Sequence, residues 1–429
     1  MLPWGREILT MLRLLHTSDW HLGHNLFHKE RRQEHARFLE WLLGALRQYE
    51  VDALVVAGDL FDTVAPPNYA LALYYDFLRR LAETPCRQAI IIGGNHDSAA
   101  SLHAPRQLLK LFDIHVIGSA DRDAPCQDLI VLRDRQGAPC GVVAAIPFLR
   151  ERDVRRAVAG ECHDDKAKGY ILGQAGHYSL LQGLGRARIA ELCRDDHGLP
   201  LIATGHLMTA GGEISTSERE VTVGTLGGIP ARLIAQGFDY LALGHLHKAQ
   251  TVNGPCPARY SGAPLPLSFA EAGREKEVTL VTFQEGERVP LLTSIAVPRF
   301  QELHTVRGGW GEVEAFFNGL AGSGPPLWVE VQLDVEVWGP GVQERVDDLA
   351  RGKAVEVLAV RNGQRLTPRF ADGDDPCEVL TALTPMEVFS RRLDLVEGLD
   401  RDEHAALLPL YQEAVDAAQR ALEGGTDAD

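Results

Sequence analysis

Basic residues are in short supply in this chain of 429 residues: 43 Lys and Arg stand against 59 Asp and Glu, a formal net charge of -16. Lys and Arg facing phosphates release counterions and so supply most of a protein's affinity for nucleic acid. A chain of this balance is therefore expected to grip DNA weakly on its own, except where bound cations invert the local field. Cysteine is sparse too. The seven present, at 86, 126, 140, 162, 193, 256 and 377, include no C-x-x-C pair and are odd in number. They read as reduced, mostly buried thiols of a cytoplasmic protein rather than a disulfide framework. No apolar run approaches the roughly 18 residues of a membrane span. The first ten residues, MLPWGREILT, lack a signal-peptide core.

What the chain does have is five short segments rich in metal-ligating side chains: Asp19-Trp20-His21, Gly58-Asp59, Gly93-Gly94-Asn95-His96-Asp97, Gly205-His206 and Gly244-His245-Leu246-His247. Each follows an apolar run of strand length, at residues 12–17, 53–57, 89–92, 200–204 and 240–243. Ligands just past strand ends, often beside a Gly that permits a sharp turn, are expected along one edge of a sheet. Singly, an Asp-x-His triplet or a Gly-Asp pair is usually a turn or a cap. All five in this order leave little room for that reading.

The chemistry accounts for the residue types. Two divalent cations roughly 3.5 to 4 Å apart activate water and neutralise both the attacked and the leaving oxygens of a phosphate ester, provided one carboxylate bridges them. Imidazole mixed with carboxylate suits Mn, Fe or Zn, and the lack of Cys in the segments argues against a closed structural zinc site.

The strings LHTSDWHLGH, VVAGDLFDT, GGNHDS and GHLHKAQ resemble the calcineurin-like metallophosphoesterase superfamily, and within it the SbcD nuclease branch, over roughly residues 11–290. The resemblance implies an α/β fold, a metallophosphoesterase β-sandwich flanked by helices, and a start near Met11, so that residues 1–10 are an extension or a misassigned start. It implies that Asp19, His21 and His247 hold a first metal, that Asp59 bridges, and that Asn95, His206 and His245 hold a second, with Mn the expected working metal. His96 would bind no metal and would give a proton to the leaving oxygen. Asp62, three residues after Asp59, is expected to orient His96 as a carboxylate orients the histidine of a Ser-His-Asp triad; the other reading is a loop Asp capping a turn.

Beyond residue 290 the pattern changes. Strands at 301–307, 327–337 and 354–360 and helices at 310–320 and 341–351 predict a small α+β module within residues 297–370, which by position resembles a capping domain. The acidic run ADGDDP (371–376) reads as a linker. Helices follow at 385–397 and 402–423, within a partner-binding segment 377–429, and the second carries Leu407, Leu408, Tyr411, Val415, Ala418 and Leu422 on one stripe. Such a face either packs back onto the module or, as the resemblance implies, binds an SbcC-like ABC-type ATPase. Residues 67–83, apolar on nearly every face, and the helix expected at 101–112 read as intradomain core or, as the resemblance implies, as a homodimer contact. The polar stretch LMTAGGEISTSERE after His206 reads as a loop. Basic clusters at Lys29, Arg31 and Arg32, at Arg150, Arg152, Arg155 and Arg156, and at Arg274 with Lys276 read mainly as solvated faces.

The expected activity is metal-dependent hydrolysis of DNA phosphodiesters: by resemblance, exonuclease action on double-stranded ends and endonuclease action on single strands and hairpins. A stand-alone phosphatase or cyclic-nucleotide phosphodiesterase would explain the site but leave the module and the tail without a task. A purely structural metal scaffold would have no use for His96.

Overall fold

The computed structural model describes residues 11–121, 123–156, 161–193, 198–213, 228–284, 286–335, 338–339, 341–363, 389 and 407–412. The chain divides into two units, Met1–Gln364 and Arg365–Asp429. The expected N-terminal extension, the acidic linker and most of both C-terminal helices lie outside the described residues, as does the polar loop beyond residue 213.

In chain order the strands of the first unit are β1 (Leu12–Thr17), β2 (Asn25–Leu26), β3 (Lys29–Glu30), β4 (Ala53–Ala57), β5 (Gln88–Ile92), β6 (Ile114–Ile117), β7 (Leu129–Arg133), β8 (Pro139–Ala144), β9 (Leu201–His206), β10 (Tyr240–Gly244), β11 (Gln250–Val252), β12 (Ala258–Tyr260), β13 (Lys276–Phe283), β14 (Leu291–Val297), β15 (Leu303–Gly308), β16 (Leu327–Leu333) and β17 (Val355–Asn362). Its helices are α1 (Arg32–Gln48), α2 (Asn68–Leu81), α3 (Ala99–His103), α4 (Arg106–Lys110), α5 (Glu151–Val154), α6 (His163–Leu192), α7 (Ala231–Ile234), α8 (Trp310–Asn318) and α9 (Gly341–Ala350).

Two six-stranded sheets face each other, one ordered β14-β13-β1-β4-β5-β6 and the other β11-β12-β10-β9-β8-β7. The sequences ALVVA of β4 and QAIII of β5 are buried at every position, as parallel strands covered on both faces must be. Leu14, Val55 and Ile90 of the first sheet pack against Val143, Ile202 and Ala242 of the second in one shared core. The outer face of the first sheet is covered by α1 and α2 through Phe38, Leu42 and Phe77, and that of the second by α6 through Tyr178 and Leu181. The result is the expected β-sandwich flanked by helices.

Several expectations need correction. The five ligand segments do not share one sheet: three follow β1, β4 and β5, and two lie at the ends of β9 and β10 in the facing sheet. Residues 101–112 form two short helices, α3 and α4, because Pro105 interrupts the run. α2 buries one face, with Ala70, Tyr74, Phe77, Leu78 and Leu81 inside, while Tyr75 is exposed. Of the six described cysteines only Cys86 and Cys256 are buried.

α6, the longest helix, has no counterpart in the sequence reading. It contains Gly169, Gly173, Gly176, Gly183 and Gly185, and glycine costs about 1 kcal/mol each relative to Ala in a helix interior. Packing requires at least one of them: a Cβ on Gly185 would lie 2.5 Å from Leu201 of β9.

The third sheet, β15-β16-β17, belongs to a smaller module in which both strand pairings are parallel, so strands and helices alternate as βαβαβ. Val306, Val313, Phe317, Val329, Val331 and Val346 form its core. It rests on the short hairpin β2–β3, where Leu26 and Phe269 meet Leu303 and Trp328 and Lys29 pairs with Glu356 at 2.5 Å. In the second unit, residues 407–412 are helical and the rings of Phe389 and Tyr411 stack with centroids 3.8 Å apart.

Candidate metal centre

The site end of the sandwich is built on backbone conformations that side-chain-bearing residues rarely adopt. Asp19 (φ 53), His21 (φ 44), Asp59 (φ 49) and His245 (φ 99) all lie in the left-handed region, at a cost on the order of 1–3 kcal/mol each. Hydrogen bonds between the segments hold them there. Asp19 N–H donates to Gly58 O at 2.9 Å, His21 N–H to Asp59 O at 3.1 Å, and His245 N–H to the Asp19 carboxylate at 3.0 Å. His96 N–H donates to Asp59 Oδ1 at 2.9 Å. Gly94 is a glycine for want of room: a Cβ there would lie 2.1 Å from Asp59 Oδ1.

One residue of the motifs received no role from sequence. The buried Asp97 carboxylate accepts three backbone N–H groups, from Gly94 at 2.9 Å, Phe61 at 3.0 Å and Leu60 at 3.1 Å. It thereby locks the loop carrying Asn95 and His96 to the loop carrying Asp59. The only hint in sequence was an Asp ending a Gly-rich turn, a common use of Asp.

All seven expected ligands converge. His206 Nε2 is 3.2 Å from Asp59 Oδ2 and 2.9 Å from Asn95 Oδ1, and His245 Nδ1 is 3.1 Å from the same Asn95 oxygen. His206 Nδ1 donates to Ala57 O at 2.9 Å, which fixes the tautomer and leaves Nε2 for ligation. His21 Nε2 lies 3.7 Å from Asp59 Oδ2, and the His21 ring meets those of His96 and His247 edge-on at 4.9 and 5.1 Å. Three overlapping triplets bring their donor atoms within 4.8 Å of one another: Asp19, His21 and His247; His21, Asp59 and His96; Asp19, Asp59 and His206. Neither ring nitrogen of the buried His21 has a hydrogen-bond partner among the described residues. A buried, unpartnered imidazole facing carboxylates fits a cation, and these nitrogen and oxygen donors bind a divalent metal.

His96 and Asp62 are arranged differently from expectation. His96 Nδ1 donates to the peptide carbonyl of Asp62 at 2.7 Å, which points Nε2 towards Asp59 Oδ2 at 4.0 Å. The Asp62 carboxylate is not on His96. It stands 3.3 Å from Nδ1 of His21, outside hydrogen-bond geometry. A sequence pattern specifies an Asp but cannot say whether its side chain or its carbonyl meets a given neighbour.

Charge is unevenly shared in the cluster. Burial would lower His206, but the adjacent Asp59 carboxylate outweighs it and raises the imidazole to about 9. Burial would lift Asp59, yet the charges of His206, His21 and His96 hold it below the usual carboxylate range. Asp19 is pushed up to about 7 by burial, against the pull of His206. Burial and the nearby His206 charge lower His245 to about 3.

The basic clusters are largely committed. Arg31 is buried against Glu34, half-buried Lys276 pairs with Glu271, and Arg155 pairs with Glu151 and Glu161. Arg32, Arg152, Arg156 and Arg274 are exposed, and half-buried Arg150 reaches Asp97 O at 3.4 Å, beside His96.

Residues 12–249 match the family model for calcineurin-like phosphoesterases, and residues 299–397 match a second, SbcD_C, described as the Type 5 capsule protein repressor C-terminal domain. The SbcD subunit of the SbcCD nuclease of Escherichia coli (strain K12) is 37% identical over 404 residues, 93% of this chain and 97% of that protein. Its namesake from Bacillus subtilis (strain 168) is 35% identical over 328 residues, 76% of this chain and 79% of that one. That of Rhodobacter capsulatus is 37% identical over 281 residues, 64% and 67% of the two chains.

The charge distribution makes metal uptake a proton-releasing event. A ligating imidazole must be neutral and a ligating carboxylate ionised, whereas metal-free His206 holds its proton up to about pH 9 and Asp19 up to about pH 7. Apparent affinity is thus expected to rise with pH towards 9 and to fall as pH drops. Calorimetric titrations of Mn at pH 7 in buffers of different ionisation enthalpy should give different apparent enthalpies. Identical enthalpies in all buffers would contradict this charge assignment.

Proposed function

The chain belongs to the calcineurin-like phosphoesterase family, in its SbcD nuclease branch, and from that premise we propose that the cluster hydrolyses DNA phosphodiester bonds with two divalent ions, Mn being the working metal. Asp19, His21 and His247 hold one ion, Asn95, His206 and His245 the other, and Asp59 is shared. Bound ions of this kind supply activated water and positive charge for the phosphate oxygens.

The observation that carries the reading is His96. It sits beside Asn95 with Nδ1 committed to a carbonyl and Nε2 facing the shared carboxylate, an arrangement that a structural metal site does not need. Because Nδ1 carries the proton donated to Asp62 O, Nε2 bears a proton only in the charged imidazolium. In that state His96 gives a proton to the departing oxygen of the cleaved ester. Its carbonyl partner holds the ring at the correct angle throughout.

The substrate reading includes double-stranded ends, single strands and hairpins. The βαβαβ module packs on the hairpin that follows Asp19 and His21 in sequence, so a duplex held by that module lies next to the ligand loops. The C-terminal helices, of which residues 407–412 are described, dock an SbcC-like ATPase that supplies the DNA affinity an acidic chain lacks. The complex is cytoplasmic; among the described residues no helix is long and apolar enough to cross a membrane. Leu108, Leu111 and Phe112 at and after α4 are 60%, 79% and 59% exposed. Such an apolar patch marks an interface, here with a second copy of the chain.

Two outcomes test these readings. His96→Ala should lower turnover of hairpin DNA by a factor on the order of 10² to 10⁴ while the purified variant retains its metal by elemental analysis; loss of metal along with activity would make His96 a ligand. Replacing Leu111 and Phe112 with Asp should convert a dimer to a monomer in sedimentation equilibrium, and an unchanged mass would place the dimer contact elsewhere.

A further inference from the structure

The loop after Asp59 is more rigid than a surface turn. Leu60 and Phe61 donate their N–H groups to the buried Asp97 carboxylate, and Asp62 N–H donates to Leu22 O at 3.2 Å. Asp62 is therefore tied through its backbone to the residue that follows His21. Its side chain, 26% exposed, has access to water, yet Oδ1 stands 3.3 Å from Nδ1 of His21, which is 2% exposed. On the other side of the same residue, the peptide carbonyl accepts from His96 Nδ1 at 2.7 Å. The two imidazoles it touches stand edge to face, centroids 4.9 Å apart.

We propose that Asp62 is a positioning residue with two separable tasks: its carboxylate fixes His21 as an Nε2 metal ligand, and its backbone carbonyl fixes the ring of His96.

A carboxylate near one ring nitrogen of a histidine favours the proton on that nitrogen and leaves the lone pair on the other, a choice that a full hydrogen bond makes behind most metal-ligating histidines. Here the proton is drawn to Nδ1, and Nε2 is the nitrogen that faces Asp59 Oδ2 at 3.7 Å. His206 reaches the same tautomer by a different device, the carbonyl of Ala57. The charge of Asp62 also stabilises a cation on the far side of the ring. Every residue type carries a peptide carbonyl, so the second task survives loss of the side chain. The two tasks therefore predict different kinetic signatures. Loss of the carboxylate weakens metal binding far more than it disturbs proton donation.

This inference rests on the proposed reading of His21 as a ligand and His96 as the proton donor. The test uses the full chain as Asp62→Asn, which preserves shape and removes charge, and Asp62→Ser, which shortens the side chain and leaves its carbonyl in place. Mn binding is measured by calorimetry and cleavage of hairpin DNA as a function of Mn concentration. One Mn site should weaken by about 10- to 100-fold in both variants, the half-saturating Mn for cleavage should rise in step, and the plateau rate should change far less than the Mn affinity does. A lowered plateau with unchanged Mn affinity would overturn the proposal and return the carboxylate to His96. Unchanged affinity and unchanged plateau would overturn it too, leaving Asp62 a loop residue. Should the wild-type chain bind Mn without cleaving DNA, the nuclease reading fails while the isotherms still decide whether Asp62 acts through His21. A wild-type chain that takes up no Mn would overturn both.

Discussion

The Asp59 carboxylate is the constraint around which this molecule is organised. Its Oδ2 lies 3.2 Å from His206, 3.7 Å from His21 and 4.0 Å from His96, and its Oδ1 accepts the His96 N–H. A buried carboxylate is costly unless it is paired and hydrogen-bonded, and the partners come from β1, β5 and β9, which belong to two different sheets. Leaving room for it explains Gly94, and reaching it explains the left-handed backbone at Asp59 itself. The strain in the four left-handed residues persists because each segment is anchored in a strand buried on both faces. A looser scaffold would relax it, and the donors would separate.

Two further layers depend on this arrangement. Asp97 clamps the loops of Asp59 and Asn95 together with three backbone hydrogen bonds. Asp62, just beyond, touches both His21 and His96. The βαβαβ module packs on Leu26 of the hairpin after His21 and on Phe269 of the turn that carries Glu271, whose carboxylate is 3.9 Å from His247 Nδ1. The module thus rests on segments continuous with His21 and His247.

Much of this was legible in the sequence because it depends on local chemistry. Residues 12–17 and 53–57 read as strands from their apolar runs and are strands with those bounds, and the ligand clusters advertised themselves by residue type. What was not legible is non-local. Parallel strands buried on both faces look alike whichever sheet they join, so five segments were assigned to one edge when the facing sheets each contribute. Five glycines in α6 argue against a helix on propensity alone, while the close approach of Gly185 to Leu201 is a tertiary fact. Arg31 and Lys276 look like surface cations in sequence, and only the fold reveals Glu34 and Glu271 beside them. The sequence places an Asp at residue 62 but not which half of it meets His96; backbone direction presents the carbonyl to His96 and the carboxylate to His21.

The central claim is that a single shared carboxylate assembles a pair of metal ions. Electron paramagnetic resonance of Mn-loaded protein addresses it directly, because Mn ions roughly 3.5 to 4 Å apart are magnetically coupled while isolated ions are not. The account predicts a coupled Mn pair in the wild-type chain and none in Asp59→Ala, with its remaining Mn weakly held and uncoupled. A wild-type spectrum showing only isolated Mn, or a coupled pair that survives in Asp59→Ala, would contradict it.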